Sequence, residues 1–179
     1  LVVVHKEGLA FACDHSIVTT KRRFKVVITS NGGYPLDRNY YQTVKGLVNC
    51  LGILEDGGEI LMLSECSDGL GSEYYSAGLG RLREFENFDA YIDYISDMRN
   101  FEIDQWEVEE LVKVLRKARI KIYTDLPEDD CRLGFALKVE DLSAYVRDIF
   151  ERTRPGEVAV IPEGPYDVLV ESITLEVNE

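Results

Sequence analysis

Four short runs of mostly aliphatic residues, set between longer stretches with helical spacing, constrain this 179-residue chain more than any other feature. The runs are Phe24–Thr29, Glu59–Leu63, Ile120–Thr124 and Glu157–Ile161, and they read as buried strands. Between them, apolar residues recur every three or four positions. Val44, Leu47, Val48 and Leu51 form the stripe of a helix over about residues 38–53, with Asp37 expected as its N-cap. Val108, Leu111, Val112, Leu115 and Ala118 do the same for a helix over about residues 105–118, opened by Asp104 and Glu107 as a D-x-x-E variant of the capping box. Residues 4–13 and 140–152 predict further helices, and residues 73–98 one broken helix or two short ones. The tail after Pro165 reads equally well as strand or helix. Strands alternating with helices predict an α/β fold, a mainly parallel sheet covered on both faces as a three-layer α/β/α sandwich, with residues 1–179 as a single domain.

Composition sharpens this. The chain is 45% hydrophobic, with aromatics throughout, so it can bury a core and is not a disordered segment. A net charge of −13 argues against a nucleic-acid partner, because neutralising phosphates needs a basic surface. Cys13, Cys50, Cys66 and Cys131 show no C-x-x-C spacing and no nearby histidine at a zinc-ligand interval. Free thiols suit a reducing compartment, which points to the cytoplasm. No run reaches the roughly 18 to 20 apolar residues of a membrane-spanning helix, so no membrane partner is expected. The chain opens on Leu1-Val2-Val3-Val4, interrupted at once by His5, Lys6 and Glu7, and is expected to be a piece of a longer one.

In parallel sheets ligands collect beyond the carboxyl ends of the strands, and the two most unusual loops lie there. The first, Ser30–Asp37, carries Gly32-Gly33, which lets backbone approach a ligand closely. Behind it Tyr41, Gln42 and Lys45 fall within about 100° of one another on the helical wheel, beside the apolar stripe. A phenol, an amide and an ammonium on one face can hold a carboxylate, although an ordinary solvated helix face is an equal reading. The second loop, Ser67-Asp68-Gly69-Leu70-Gly71-Ser72, has the makings of an anion nest but matches neither a Walker A nor a G-x-G-x-x-G pattern. A plain strand-to-helix connection is the better reading. Trp106 lies about 160° from Val108, on the wrong face for the core, which suits stacking on a ligand ring or packing against another domain. His5 and His15 have no partner at useful spacing. The residues thus predict a ligand crevice without a catalytic acid–base pair and without metal ligands.

The strings Ser30-Asn31-Gly32-Gly33-Tyr34-Pro35-Leu36-Asp37 and Tyr41-Gln42-x-x-Lys45-Gly46 resemble the C-terminal region of nickel-dependent lactate racemases and related 2-hydroxy-acid epimerases. Ser67-Asp68-Gly69-x-Gly71, Asp104-Gln105-Trp106 and Ile161-Pro162-Glu163-Gly164-Pro165 extend the resemblance over about residues 5–165. It implies an isomerase with two α/β domains and its site between them, this chain being the C-terminal half and inactive alone. The partner implied is the N-terminal domain of the same protein, and the substrate a small 2-hydroxy acid. The cofactor implied is a nickel-pincer nucleotide, tethered outside this chain; the family carries its lysine tether, a nickel-ligating histidine and two acid–base histidines in its N-terminal half. What the resemblance assigns here is a catalytic role for Tyr41, Gln42 and Lys45, with Lys45 neutralising the substrate carboxylate or a nearby charge, and a cofactor-binding role for Trp106, Gly32, Gly33, Asp68 and Gly69. The residues alone leave two alternatives open, a non-catalytic module binding a small acid or nucleotide and an architectural partner domain.

Overall fold

The computed structural model describes residues 2–172. In chain order its elements are α1 (Val2–Ser16), β1 (Ile17–Thr20), β2 (Phe24–Ser30), α2 (Tyr40–Asn49), β3 (Leu54–Leu63), α3 (Glu73–Leu82), α4 (Phe88–Ser96), α5 (Gln105–Leu115), β4 (Ala118–Tyr123), α6 (Glu128–Leu133), β5 (Ala136–Lys138), α7 (Leu142–Arg152), β6 (Val158–Ile161) and β7 (Val168–Glu171). Strands β2 to β6 form one sheet in the order β5-β4-β3-β2-β6, every pair parallel. This is the expected α/β/α sandwich, with unequal layers.

The inequality follows from strand alternation. One face of the sheet sends Val27, Ile60, Met62, Ile120 and Ile122 into a large core shared with α2, α3, α4 and α5. The other sends Val26, Ile28 and Leu61 against Ile149 of α7 and Val139. That helix is pinned at the sheet by Glu59, buried yet paired with the Arg152 guanidinium and accepting from the Tyr145 hydroxyl at 3.0 Å. A buried carboxylate is tolerated when it is neutralised in this way.

Several expected boundaries move. Helix α2 starts at Tyr40, because Asn39 rather than Asp37 adopts the extended cap conformation and accepts from Gln42 N at 3.0 Å. Asp37 is still in the preceding turn, its N–H donating to Gly33 O at 3.1 Å. The helix ends at Asn49 in a tight turn over Cys50–Gly52, where a Cβ on Gly52 would lie 1.9 Å from Leu169 O. Asp104 does not close a capping box. Its backbone is left-handed at φ 64, and its carboxylate accepts from the Ser72 hydroxyl instead. Ala118 leaves the helix to pair with Gly58. Residues 73–98 divide into two helices, α3 and α4.

Four short elements escaped the periodicity reading. Strand β5 has three residues and α6 six, below the length at which a repeat shows. Strands β1 and β7 pair only with each other, in parallel, so the tail after Pro165 holds a strand as far as Glu171. Residues 173–179 lie outside those described. Among the described residues no helix is long and apolar enough to cross a membrane.

Candidate functional site

The gap beyond the carboxyl ends of neighbouring strands such as β2 and β6 is the usual place for a ligand crevice in a parallel sheet. Here the chain bridges that gap itself. The Ser30 hydroxyl donates to Pro162 O, Asn31 forms an antiparallel bridge with Glu163, and Asn49 donates to Gly164 O at 3.0 Å. Gly32 and Gly33 take positive φ of 77° and 76° in this corner. A Cβ on Gly32 would lie 3.3 Å from the Tyr166 ring. Gly32 thus packs with Leu36 and Pro165–Tyr166, in a corner shaped by its own chain, while a Cβ on Gly33 would meet nothing within 4 Å.

The second loop serves a different purpose from an anion nest. Asp68 N donates to Arg38 O at 2.7 Å and Gly69 N to Cys66 O at 2.9 Å, while Gly69 O and Leu70 O accept from Tyr40 N and Tyr41 N, each at 3.0 Å. These bonds, with the Asn39 cap, use the donors of the first turn of α2. A ligand on this helix therefore meets side chains rather than helix-end N–H groups. Asp68 itself pairs with Arg38 at 2.6 Å. Gly71, at φ 123, brings the loop so close that a Cβ there would sit 2.9 Å from Tyr41 Cβ. Gly71→Ala is expected to destabilise the fold by about 2 kcal/mol through backbone strain and displacement of Tyr41. Chemical denaturation measures it, and a change below a few tenths would show that the loop yields freely.

Tyr41, Gln42, Lys45 and Trp106 do come together. The Tyr41 ring meets Trp106 edge-on at 5.7 Å and Tyr75 edge-on at 5.2 Å. The Lys45 ammonium stands 5.4 Å from the centre of the Tyr41 ring and 5.9 Å from that of Trp106, a cation–π arrangement that orders an exposed side chain. It donates to Gln42 Oε1 at 2.8 Å, which turns the amide N–H₂ of Gln42 away from the lysine. Trp106 remains 50% exposed. The result is an open face offering one cation, one amide donor and an aromatic shelf.

Beneath it lies a residue the sequence reading assigned to helix capping. Glu107 is fully buried, and neither carboxylate oxygen has a hydrogen-bond partner. Burial is the main cause that pushes its pKa up to about 7, Lys45 opposing and Glu110 and Asp104 assisting. Tyr75, also fully buried, has an unpartnered hydroxyl. Burial first, with Tyr40 and Glu107 next, holds that phenol well above its ordinary range. The only available sequence signal was that Glu107 precedes Val108 on the core side of α5. His5 and His15 lie exposed on α1, where His15 Nδ1 contacts Phe11 O at 2.7 Å.

An all-parallel α/β/α domain with an open cationic and aromatic face on its larger helical layer is the class of protein defined here. Residues 19–170 match the lactate racemase C-terminal domain, and the chain belongs to that family. The lactate racemase of Thermoanaerobacterium thermosaccharolyticum is 29% identical over 177 residues, covering 98% of this chain and 39% of that protein. The lactate racemase of Lactiplantibacillus plantarum is 27% identical over 164 residues, covering 89% and 38%. The structure of the lactate racemase apoprotein from T. thermosaccharolyticum superposes with a TM-score of 0.76 at 30% identity, over 92% of this chain and 40% of that one. A Thermotoga maritima crystal structure, TM-score 0.63 at 13% identity, shares the fold. The chain thus spans about two fifths of the length of the relatives it matches.

Proposed function

We propose that this chain is the C-terminal half of a cytoplasmic two-domain racemase or epimerase of 2-hydroxy acids and forms one wall of its active site. The observation that carries this reading is the convergence of Lys45, Gln42, Tyr41 and Trp106 on one open face. A carboxylate needs a cation and a donor, and Lys45 with the Gln42 amide supplies both. The face is open rather than enclosed, which suits a cleft closed by the remainder of a longer protein.

The nickel-pincer nucleotide fits this chain only in part. No group of three or more His, Cys, Asp or Glu among the described residues can hold a metal ion, so these side chains do not suit the nickel. The half-exposed Trp106 edge and the Lys45 ammonium do suit a planar ring and an anionic group. When bound, the cofactor supplies an acceptor for the hydride of the substrate α-carbon. This chain's part is positional. Lys45 offsets the carboxylate charge, Gln42 donates to it, and Tyr41 with Trp106 keeps water from one side. Gly32, Gly33, Asp68 and Gly69 act at one remove. Gly32 shapes the corner at Tyr166, Gly33 follows it in the same left-handed turn, and Asp68 with Gly69 seats the first turn of α2.

The test is an assay of the full-length, nickel-loaded protein on separate enantiomers of lactate and other 2-hydroxy acids, followed by optical rotation. Interconversion of at least one pair is expected. Binding of these acids with no interconversion would make the chain part of a binding protein instead.

A further inference from the structure

Two carboxylates are buried among the described residues, and they differ in one respect. Glu59 is 5% exposed and held by Arg152 and Tyr145, as a structural carboxylate should be. Glu107 is fully buried with both oxygens unpartnered, next to Trp106 along α5. From α2 it is faced by Lys45 and Tyr41, from α3 by Tyr75 with its own unpartnered hydroxyl, and along α5 by Asp104 and Glu110. Lys45 favours the ionised carboxyl, while burial and the two acidic neighbours oppose it. A negative charge arriving at Lys45 therefore offsets the one neighbour that favours ionisation.

We propose that Glu107 is a positioning residue that couples ligand binding to proton uptake: when an anionic carboxylate binds beside Lys45, the buried carboxyl takes one proton from solvent, and it returns that proton when the ligand leaves. This rests on the reading of Lys45 as the partner of the substrate carboxylate. A neutral Glu107 leaves the lysine charge to the ligand, whereas an ionised one competes for it. Since Glu107 titrates near neutrality, affinity for a carboxylate falls as pH rises through about 7.

L-lactate is the probe, bound to the full-length protein from pH 5.5 to 9 by calorimetry in two buffers of different ionisation enthalpy. Wild type is expected to lose about tenfold in affinity across this range and to take up about half a proton per ligand near pH 7.5. Glu107→Gln should flatten the profile and abolish that uptake, with thermal melting verifying that it is folded. The same pH profile in Glu107→Gln, or a flat profile in wild type while Lys45→Ala still weakens binding, would overturn the coupling alone. Lactate binding indifferent to Lys45→Ala would overturn both the coupling and the functional reading.

Discussion

Lys45→Ala in the full-length protein is expected to lower kcat/KM for a 2-hydroxy acid by about 10- to 100-fold. Its melting temperature should barely change. The size follows from a charge-assisted hydrogen bond, worth about 1.5–3 kcal/mol when its partner is left in place. Stability is spared because the side chain is exposed, and its contacts with Tyr41 and Trp106 are weak ones at a wet surface. Lys45→Arg should recover only part of the loss. A planar guanidinium cannot occupy the compact position between the two rings and also reach Gln42 Oε1. Steady-state kinetics on both variants decide the matter, and unchanged turnover would remove Lys45 from the site.

Glu107→Gln is expected to stabilise the protein at alkaline pH, by an amount on the order of 3 kcal/mol. The folded-state pKa is raised from 4.5 to about 7, so between those values the folded state binds more protons than the unfolded one. Stability therefore falls as pH rises through this window, and the full cost is present above about pH 7. At pH 4 both states hold the proton and the variant should match wild type. Denaturant unfolding at pH 4, 6 and 8 measures the divergence. Equal stability of the two proteins at pH 8 would mean that Glu107 finds a partner on ionisation. A residue that lowers stability at working pH is retained at functional sites more readily than in a core.

Much of the architecture was legible because it rests on local repetition. The runs at Phe24, Glu59, Ile120 and Glu157 became four of the five strands of the main sheet. Tyr41 and Gln42 both meet Lys45 because a helix sets i,i+4 and i,i+3 side chains next to each other whatever surrounds it. The cap of α2 was misplaced because Asp37 and Asn39 are equally good caps by composition. The contest is decided by Asp37 O, which accepts from Cys66 N at 2.8 Å and ties that residue into the turn. The misreading of Asp104 and Glu107 has a similar source. The D-x-x-E spacing is right for a capping box, but Ser72 claims the Asp104 carboxylate and the packing of α5 against α3 turns Glu107 inward.

By itself, then, the sequence determined four strands of the parallel sheet, the longer helices between them and the Tyr41–Gln42–Lys45 face, all marked by patterns local in the chain. Only the tertiary structure decided that Trp106 meets Tyr41 edge-on, that Gly32 packs against Tyr166, and that Glu107 is buried without a partner. Those outcomes depend on how α2, α3 and α5 pack on one another, and burial and long-range contact leave no periodic mark in the chain that produces them.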